Sequence, residues 1–158
     1  MSRSISRREA VKQASVVAIA ILAGHDVAHA QAPIAITVYK DPNCGCCAKW
    51  IEHMKANGFA PTVTNSSDMA AIKTKYKVGM DLRSCHTTIA GDYVIEGHVP
   101  AADVKRLLID KPKTISGLAT PGMPASAPGM DGTPFTPYDV VAFDATGKTS
   151  VYVRHQKA

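Results

Sequence analysis

Aromatic side chains make up only 6% of the 158 residues, and charged side chains make up 20%. So few rings cannot form the repeated stacking platforms on which proteins hold single-stranded nucleic acid. The chain also lacks an apolar run of the ~20 residues that a membrane-spanning helix needs. These absences argue against a nucleic-acid partner and against a multi-span membrane protein, and the length favours one globular domain.

The first thirty residues have the composition of a secretory signal peptide. Its positive segment, apolar segment and cleavage site are Arg3, Arg7, Arg8 and Lys12, then residues 14–23, then Ala28-His29-Ala30. The apolar segment is too short to cross a bilayer, so we predict that residues 1–30 are cleaved and that no stable membrane anchor remains. Residues 6–12 also resemble a twin-arginine signal, which exports proteins already folded.

Residues 31–158 are predicted to form a single domain that is exported to the periplasm. The leader holds four of the Lys and Arg residues and two of the Asp and Glu residues, so its removal lowers the net charge from +5 to +3. A surplus this small does not indicate a nucleic-acid partner.

A buried strand and an amphipathic helix flank the first cysteines. Residues 34–39 are rich in β-branched side chains and end at a turn-forming segment, residues 40–43. Apolar side chains then recur at helical spacing, at Cys47, Trp50, Ile51 and Met54. We expect Asn43 to cap this helix and Asn57-Gly58 to end it.

The order of the remaining elements predicts a thioredoxin-like α/β fold. After the first helix come a strand at residues 61–64, a second helix at 68–76, a hairpin at 87–95 and a third helix between Pro100 and Pro112. This order, βαβα then ββα, is typical of proteins that carry reactive cysteines between the first strand and the first helix. Residues 113–137 are rich in Pro, Gly and Met and are predicted to form a long loop, followed by a C-terminal β-hairpin at 138–153.

The four cysteines are the strongest functional signal, because all of them lie in the part of the chain that is predicted to be exported. Disulfides form and persist in such an oxidising compartment. However, Cys44, Cys46 and Cys47 fall within four residues, and a disulfide stabilises most when it closes a long loop. We therefore expect at most one ordinary structural bridge, from Cys85 back to the other three.

Three thiols at the start of the first helix favour metal binding. The helix dipole and the free backbone N–H groups at a helix N-terminus stabilise thiolate over thiol, and thiolates with nearby thioethers select Cu(I) among biological metals. Cys44, Cys46 and Cys47 are the predicted copper ligands, and Cys85 supplies a fourth sulfur if the loop before the hairpin folds over them. Candidate additional ligands are His86, beside Cys85, and the methionines of a repeated Pro-Gly-Met, Met123 and Met130. His98 is a further candidate imidazole, and a position near a helix start is the alternative interpretation.

Two other kinds of site compete with copper. A structural zinc site normally has two spaced pairs of cysteines, whereas Cys46 and Cys47 are adjacent and Cys85 stands alone. A thioredoxin-like thiol–disulfide oxidoreductase without metal would use Cys44 and Cys47 as its C-x-x-C pair. The extra thiol of Cys46 would scramble disulfides in such an enzyme but is useful in a polynuclear thiolate site. We favour copper binding, keep the oxidoreductase as the alternative, and leave open a copper and thiol redox activity.

Several motifs together resemble the CopG-type family of small periplasmic copper-resistance proteins. They are residues 38–50, residues 85–87, residues 93–101 and residues 117–124. The resemblance covers nearly all of the chain after the leader, as far as about Met130, and the hairpin after Pro137 lies beyond it. It implies a thioredoxin-like fold, a multi-copper cluster of Cu(I) bound by the four cysteines, and a redox role in copper detoxification. Copper ions are then the ligand, and other envelope copper-handling proteins are the expected partners.

Export predicts a defined mature N-terminus. If the Ala28-His29-Ala30 site is used, protein recovered from the cell envelope begins at Gln31. Mass spectrometry of the intact protein and of its N-terminal peptide measures that start directly. A protein from that fraction that still begins at Met1 or Ser2 would contradict cleavage.

Overall fold

Seven strands and three α-helices form along residues 32–157, the part of the chain that this computed structural model describes. The predicted signal peptide lies outside these described residues. The elements are β1 (Ile34–Lys40), α1 (Gly45–Ala56), β2 (Phe59–Asn65), α2 (Met69–Lys75), a 3₁₀ turn (Met80–Leu82), β3 (His86–Ala90), β4 (Tyr93–Glu96), α3 (Ala101–Asp110), β5 (Gly117–Ala119), β6 (Tyr138–Phe143) and β7 (Thr149–His155). No helix in this range is both long enough and apolar enough to cross a membrane.

The strands of the described range form one mixed sheet in the order β2-β1-β3-β4-β5-β6-β7. Strand β1 pairs in parallel with β2 and antiparallel with β3, and β3 forms an antiparallel hairpin with β4. The predicted order of elements, βαβα then ββα, is therefore observed from β1 to α3. Strands β5, β6 and β7 extend the sheet beyond β4.

Strand β5 corrects the prediction of one unbroken loop over residues 113–137. It lies parallel to β4 and antiparallel to β6. A side chain at Gly117 would strike the Val94 carbonyl oxygen, and its Cβ would lie 2.5 Å from the Phe143 ring. Glycine here permits close approach of neighbouring strands, and a glycine in a Pro-rich segment was interpreted only as a loop signal. The remainder, residues 120–137, contains no helix or strand.

The core is formed by the sheet and the inner faces of α1 and α3. Ile36 and Val38 of β1 are buried, as are Trp50 and Met54 of α1, which confirms the helical spacing predicted from the sequence. The buried Trp50 indole N–H donates a hydrogen bond to the carbonyl oxygen of Val99, 2.9 Å away, so the ring brings a satisfied polar group into the core. Helix α1 is thereby joined to the segment that follows β4.

The start of α1 differs from the prediction by one residue. Cys44, and not Asn43, is the N-cap, and no side chain makes a capping hydrogen bond there. The reason is a turn in which the backbone N–H of Cys44 donates to the carbonyl oxygen of Asp41, 3.1 Å away, and the N–H of Asn43 donates to the Asp41 carboxylate. The helix then begins at Gly45, with the cysteines in its first turn.

The predicted C-terminal hairpin is present as β6 and β7. Its turn is held by Asp144, whose carboxylate accepts hydrogen bonds from the backbone N–H groups of Thr146 and Lys148. The hairpin is fastened to α3, because Nε2 of His155 lies 2.7 Å from the buried carboxylate of Asp103. The hairpin therefore packs on the same domain that holds the cysteines.

Candidate metal centre

The four cysteines converge on one place, and we call them the cysteine cluster: Cys44, Cys46, Cys47 and Cys85. Their sulfur atoms all lie within 4.8 Å of one another. The sheet explains this convergence. Strand β1 pairs antiparallel with β3 so that Lys40 lies opposite His86, and the turn after β1 therefore runs beside Cys85. The predicted approach of Cys85 to the first helix is thus observed.

A disulfide joins Cys44 to Cys47. The expectation that any ordinary bridge would run from Cys85 is therefore wrong. The first turn of a helix places residues i and i+3 side by side, and the two Cα atoms are 5.4 Å apart, within the range that disulfides span. Cys46 and Cys85 are free thiols, each half-buried, and the Cys46 sulfur lies 3.6 Å from that of Cys44.

Cys85 faces two histidines. Its sulfur lies 3.0 Å from Nε2 of His98 and 3.4 Å from Nδ1 of His86, so that the three residues form a second group of donors within 4.8 Å. Burial raises the pKa of the Cys85 thiol to about 12, and the neighbouring Cys46 adds to the rise. Without metal, the residue is therefore a protonated thiol at neutral pH, and the S–H has an imidazole nitrogen to which it can donate.

His98 is oriented to present a lone pair to Cys85. Its Nδ1 lies 2.7 Å from the carbonyl oxygen of Pro128, which can only accept a hydrogen bond, so Nδ1 carries the proton. Nε2 is then the unprotonated nitrogen, and it points at the Cys85 sulfur. Burial lowers the pKa of His98, which favours the neutral imidazole that binds metals. A metal-ligating histidine usually has its second nitrogen fixed in this way.

His86 is completely buried between Trp50 and His98, with ring centroids 4.4 Å and 5.0 Å away. Burial lowers its pKa well below the ordinary value, and the nearby charges of Lys73 and Lys40 act in the same direction. Its Nε2 is one of the few buried side-chain atoms of residues 32–157 that have no hydrogen-bond partner. A neutral imidazole whose Nδ1 lies beside the Cys85 sulfur fits the sequence prediction of an added ligand.

The methionines predicted as added ligands have different surroundings. Met123 is 45% exposed, whereas Met130 is half-buried. The residues before Met130 lie against the centre: Pro128 accepts the His98 hydrogen bond, and a Cβ on Gly129 would lie 2.6 Å from the backbone nitrogen of Trp50 and 3.1 Å from the Cys46 carbonyl oxygen. The second Pro-Gly-Met copy therefore forms a wall of the centre, and the thioether roles stay predictions.

The turn that presents Cys44 is held by a buried lysine. The ammonium group of Lys40 donates to the carbonyl oxygens of Asp41 and Pro42, 2.8 Å and 3.3 Å away, and to the Asn65 side chain. These are backbone and amide oxygens, and no carboxylate takes part in these bonds. Lys40 therefore supports the backbone of the turn that leads to Cys44.

His98 was a candidate imidazole in the sequence, outside the predicted ligand set, and the structure brings it to Cys85. The predicted hairpin has Gly91-Asp92 as its turn, and the observed register pairs Thr87 with Glu96. The same register continued by two residues places Cys85 opposite His98. The proximity of His98 to the helix start at Pro100 favoured the interpretation that it has no ligand role.

Comparison with known proteins shows a close likeness to solved copper resistance proteins. A family model described as "Protein of unknown function, DUF411" matches residues 82–130. The structure named "Copper resistance protein copG- Form 2" is 41% identical, with a TM-score of 0.74 over 78% of this chain and 99% of that chain. "Copper resistance protein copG- Form 1" is 40% identical, with a TM-score of 0.74 over 79% of this chain and 99% of that one. A search of curated proteins finds no match.

The raised pKa of Cys85 predicts the pH dependence of its alkylation. In metal-free protein that retains the Cys44–Cys47 disulfide, the thiolate fraction of Cys85 increases about tenfold per pH unit until the pH approaches the pKa. Alkylation by iodoacetamide should therefore be slow at pH 8 and still increase through pH 10, as measured by mass spectrometry of the Cys85 peptide. A rate that reaches its plateau below pH 9 would contradict this protonation state.

Proposed function

Because the chain belongs to the CopG family of copper resistance proteins, we propose that it binds Cu(I) through the reduced cysteine cluster. One observation carries the proposal: sulfurs from two distant segments of the chain lie within 4.8 Å of one another. Thiolate ligands select Cu(I) over the harder divalent metals. The disulfide must open before all four sulfurs can bind, so the copper-binding form is the reduced one.

The two buried histidines extend this donor set. Nε2 of His98 lies 3.0 Å from the Cys85 sulfur, and an ion bound to that sulfur would be within reach of the imidazole. His86 offers a neutral ring whose Nδ1 lies 3.4 Å from the same sulfur. We propose both as secondary nitrogen donors and Met130 as a peripheral thioether donor. Sulfur from the four cysteines remains the main ligand, because a thiolate is the softer and stronger donor for Cu(I).

The bridged pair provides a redox couple at the same place. In the proposed reaction, the thiolates of Cys44 and Cys47 each transfer one electron to a different Cu(II) ion. Two Cu(II) ions thus become two Cu(I) ions, and the two sulfurs form the disulfide. In the reverse direction, two Cu(I) ions supply two electrons and the disulfide opens to two thiolates. Cys46 and Cys85 stay reduced throughout and keep ligands at the site. This couple would give the protein a copper and thiol redox activity.

We propose that this chemistry serves copper tolerance in the periplasm, on a thioredoxin-like domain. The observed order of elements supports the fold assignment, since the cysteines follow the first strand and begin the first helix. The leader composition and the disulfide support an oxidising compartment outside the cytoplasm. Copper ions are the proposed ligand, and other copper-handling proteins of the envelope are the proposed partners.

The alternative function is thiol–disulfide exchange without metal. The disulfide between Cys44 and Cys47 favours it, because these are the two cysteines of the C-x-x-C pair. The two further thiols argue for copper. Cys46 lies 3.6 Å from Cys44, where it would compete for the bridge, and Cys85 adds a fourth sulfur that a C-x-x-C mechanism does not use.

Loss of one cluster cysteine should strongly weaken Cu(I) binding. Cys46→Ser and Cys85→Ser each remove a directly bound sulfur, so the affinity should fall by more than the roughly 10–100-fold that loss of an outer-shell partner costs. Met123→Leu and Met130→Leu should have smaller effects. The measurement is an anaerobic competition titration of the reduced protein against a Cu(I) chelator, followed by metal analysis.

Met69→Leu is the matched control for the methionine variants, since this half-buried residue begins α2 and lies outside the donor groups. It should bind copper like the unmodified protein. If the Cys85→Ser protein keeps the original stoichiometry and affinity, the four-cysteine site is wrong and copper is confined to the α1 cysteines.

The metal-free protein should have little ability to reduce disulfides. A simple oxidoreductase would reduce insulin with many turnovers in the presence of a thiol reductant, and Cys46→Ser would leave that activity intact. We expect slow or no turnover, because the neighbouring thiols interfere with release of a mixed disulfide. Insulin turbidity measures the reaction, and robust turnover that survives the Cys46 change would favour the alternative function.

A further inference from the structure

A buried ion pair lies directly behind the loop that carries Cys85. The ammonium group of Lys73, on α2, lies 2.6 Å from Oε1 of Glu96, at the end of β4. The exposed fraction of the side chain is 7% for Lys73 and 0% for Glu96. Thr87 completes the group, because its hydroxyl donates to Oε2 of Glu96 and accepts from Lys73.

Glu96 also holds the backbone of the cysteine loop. The N–H of Ser84, the residue before Cys85, donates to Oε1 of Glu96 at 2.6 Å. Gly97, which directly follows the last residue of β4, donates its N–H to the carbonyl oxygen of His86 at 2.9 Å. Cys85 is therefore fixed on both sides by hydrogen bonds from one short segment, residues 96–97.

Gly97 makes this close approach possible. Its φ is +72°, and a Cβ there would lie 2.5 Å from Oγ of Ser84 and 2.6 Å from its Cβ. A side chain at this position would push the Ser84 backbone away from Glu96. The Glu96 carboxylate thus binds the loop, and the absence of a side chain at Gly97 leaves the space that the loop occupies.

A buried ion pair is a costly way to stabilise a fold. Removing two charges from water often costs as much as their attraction returns, and apolar pairs of similar size are frequently as stable. Burial raises the pKa of Glu96, while Lys73 and the hydrogen bonds from Ser84 and Thr87 oppose the rise. What an apolar pair could not supply is an acceptor for the Ser84 N–H.

We propose that Glu96, charge-compensated by Lys73, is the positioning residue of Cys85 and sets where the fourth sulfur of the cysteine cluster lies. The segment from Met80 to Ser84 contains a 3₁₀ turn and no strand, so neighbouring strands do not fix it. Without the acceptor, the Ser84 N–H would turn toward water and the loop would carry the Cys85 sulfur away from His98 and Cys46. The copper consequence rests on the proposed function, whereas the position of the thiol does not.

The test compares two double variants that differ in one respect. Lys73→Met with Glu96→Gln removes both charges and keeps a side-chain oxygen for the Ser84 N–H. Lys73→Met with Glu96→Leu removes both charges and the acceptor, with a side chain of similar size. Asp103→Asn is the control for loss of a buried carboxylate elsewhere, since Asp103 pairs with His155.

The first readout is iodoacetamide labelling of Cys85 in metal-free protein, with Cys46 as the internal reference. Loss of one hydrogen bond should speed Cys85 labelling roughly fivefold or more in the Leu variant, while the Gln variant and Asp103→Asn label as the unmodified protein does. Labelling of Cys46 should be alike in all four. Equal Cys85 rates in the Gln and Leu variants would overturn the proposal.

The second readout needs no variant. Hydrogen exchange of the Ser84 amide in the unmodified protein, followed by NMR, should show protection although the residue is half-exposed. Rapid exchange of that amide would overturn the proposal even if the Leu variant failed to fold. Cu(I) titration then adds the functional consequence: the Leu variant should resemble Cys85→Ser and the Gln variant the unmodified protein. A protein that binds no copper at all would refute the proposed function and leave the labelling result decisive.

Discussion

The antiparallel pairing of β1 with β3 is the constraint on which the cysteine cluster depends. It places the carboxyl end of β1 beside the start of β3, with Lys40 opposite His86. The turn after β1 then delivers three cysteines to the first turn of α1, next to Cys85. A shift of the register by one residue would turn every side chain of β3 to the other face and remove Cys85 from the cluster.

Around the cluster, the protein buries polar groups that an ordinary core would exclude. His86, His98 and Glu96 are completely buried, and Lys40 and Lys73 nearly so. Departures of this kind from simple burial rules are characteristic of functional sites. Each buried charge has partners: Lys40 binds the turn before Cys44, and Lys73 with Glu96 binds the loop before Cys85. The two segments that supply the sulfurs are thus each supported from inside the fold.

Local patterns were enough to predict most elements and the three cysteines at the start of α1, whereas the approach of Cys85 depends on strand pairing far along the chain. The helical spacing of Trp50 and Met54 and the alternation in the hairpins are short-range signals, and the structure confirms them. Strand β5 was missed because it is short and begins at a glycine whose role depends on a distant ring, Phe143. The bridge was assigned to the wrong cysteines, because loop length is a weaker guide than the i, i+3 geometry of a helix turn. The roles of His98 and Glu96 depend on register across two strands, which single-residue patterns do not contain.

The central claim is that copper is bound mainly by sulfur from both segments of the chain. Copper K-edge X-ray absorption of the reduced, Cu(I)-loaded protein measures the coordinating atoms directly. The account predicts a sulfur-dominated first shell with a minor nitrogen contribution, and a loss of sulfur scattering in the Cys85→Ser protein. A shell dominated by nitrogen and oxygen, or a spectrum unchanged by Cys85→Ser, would contradict it.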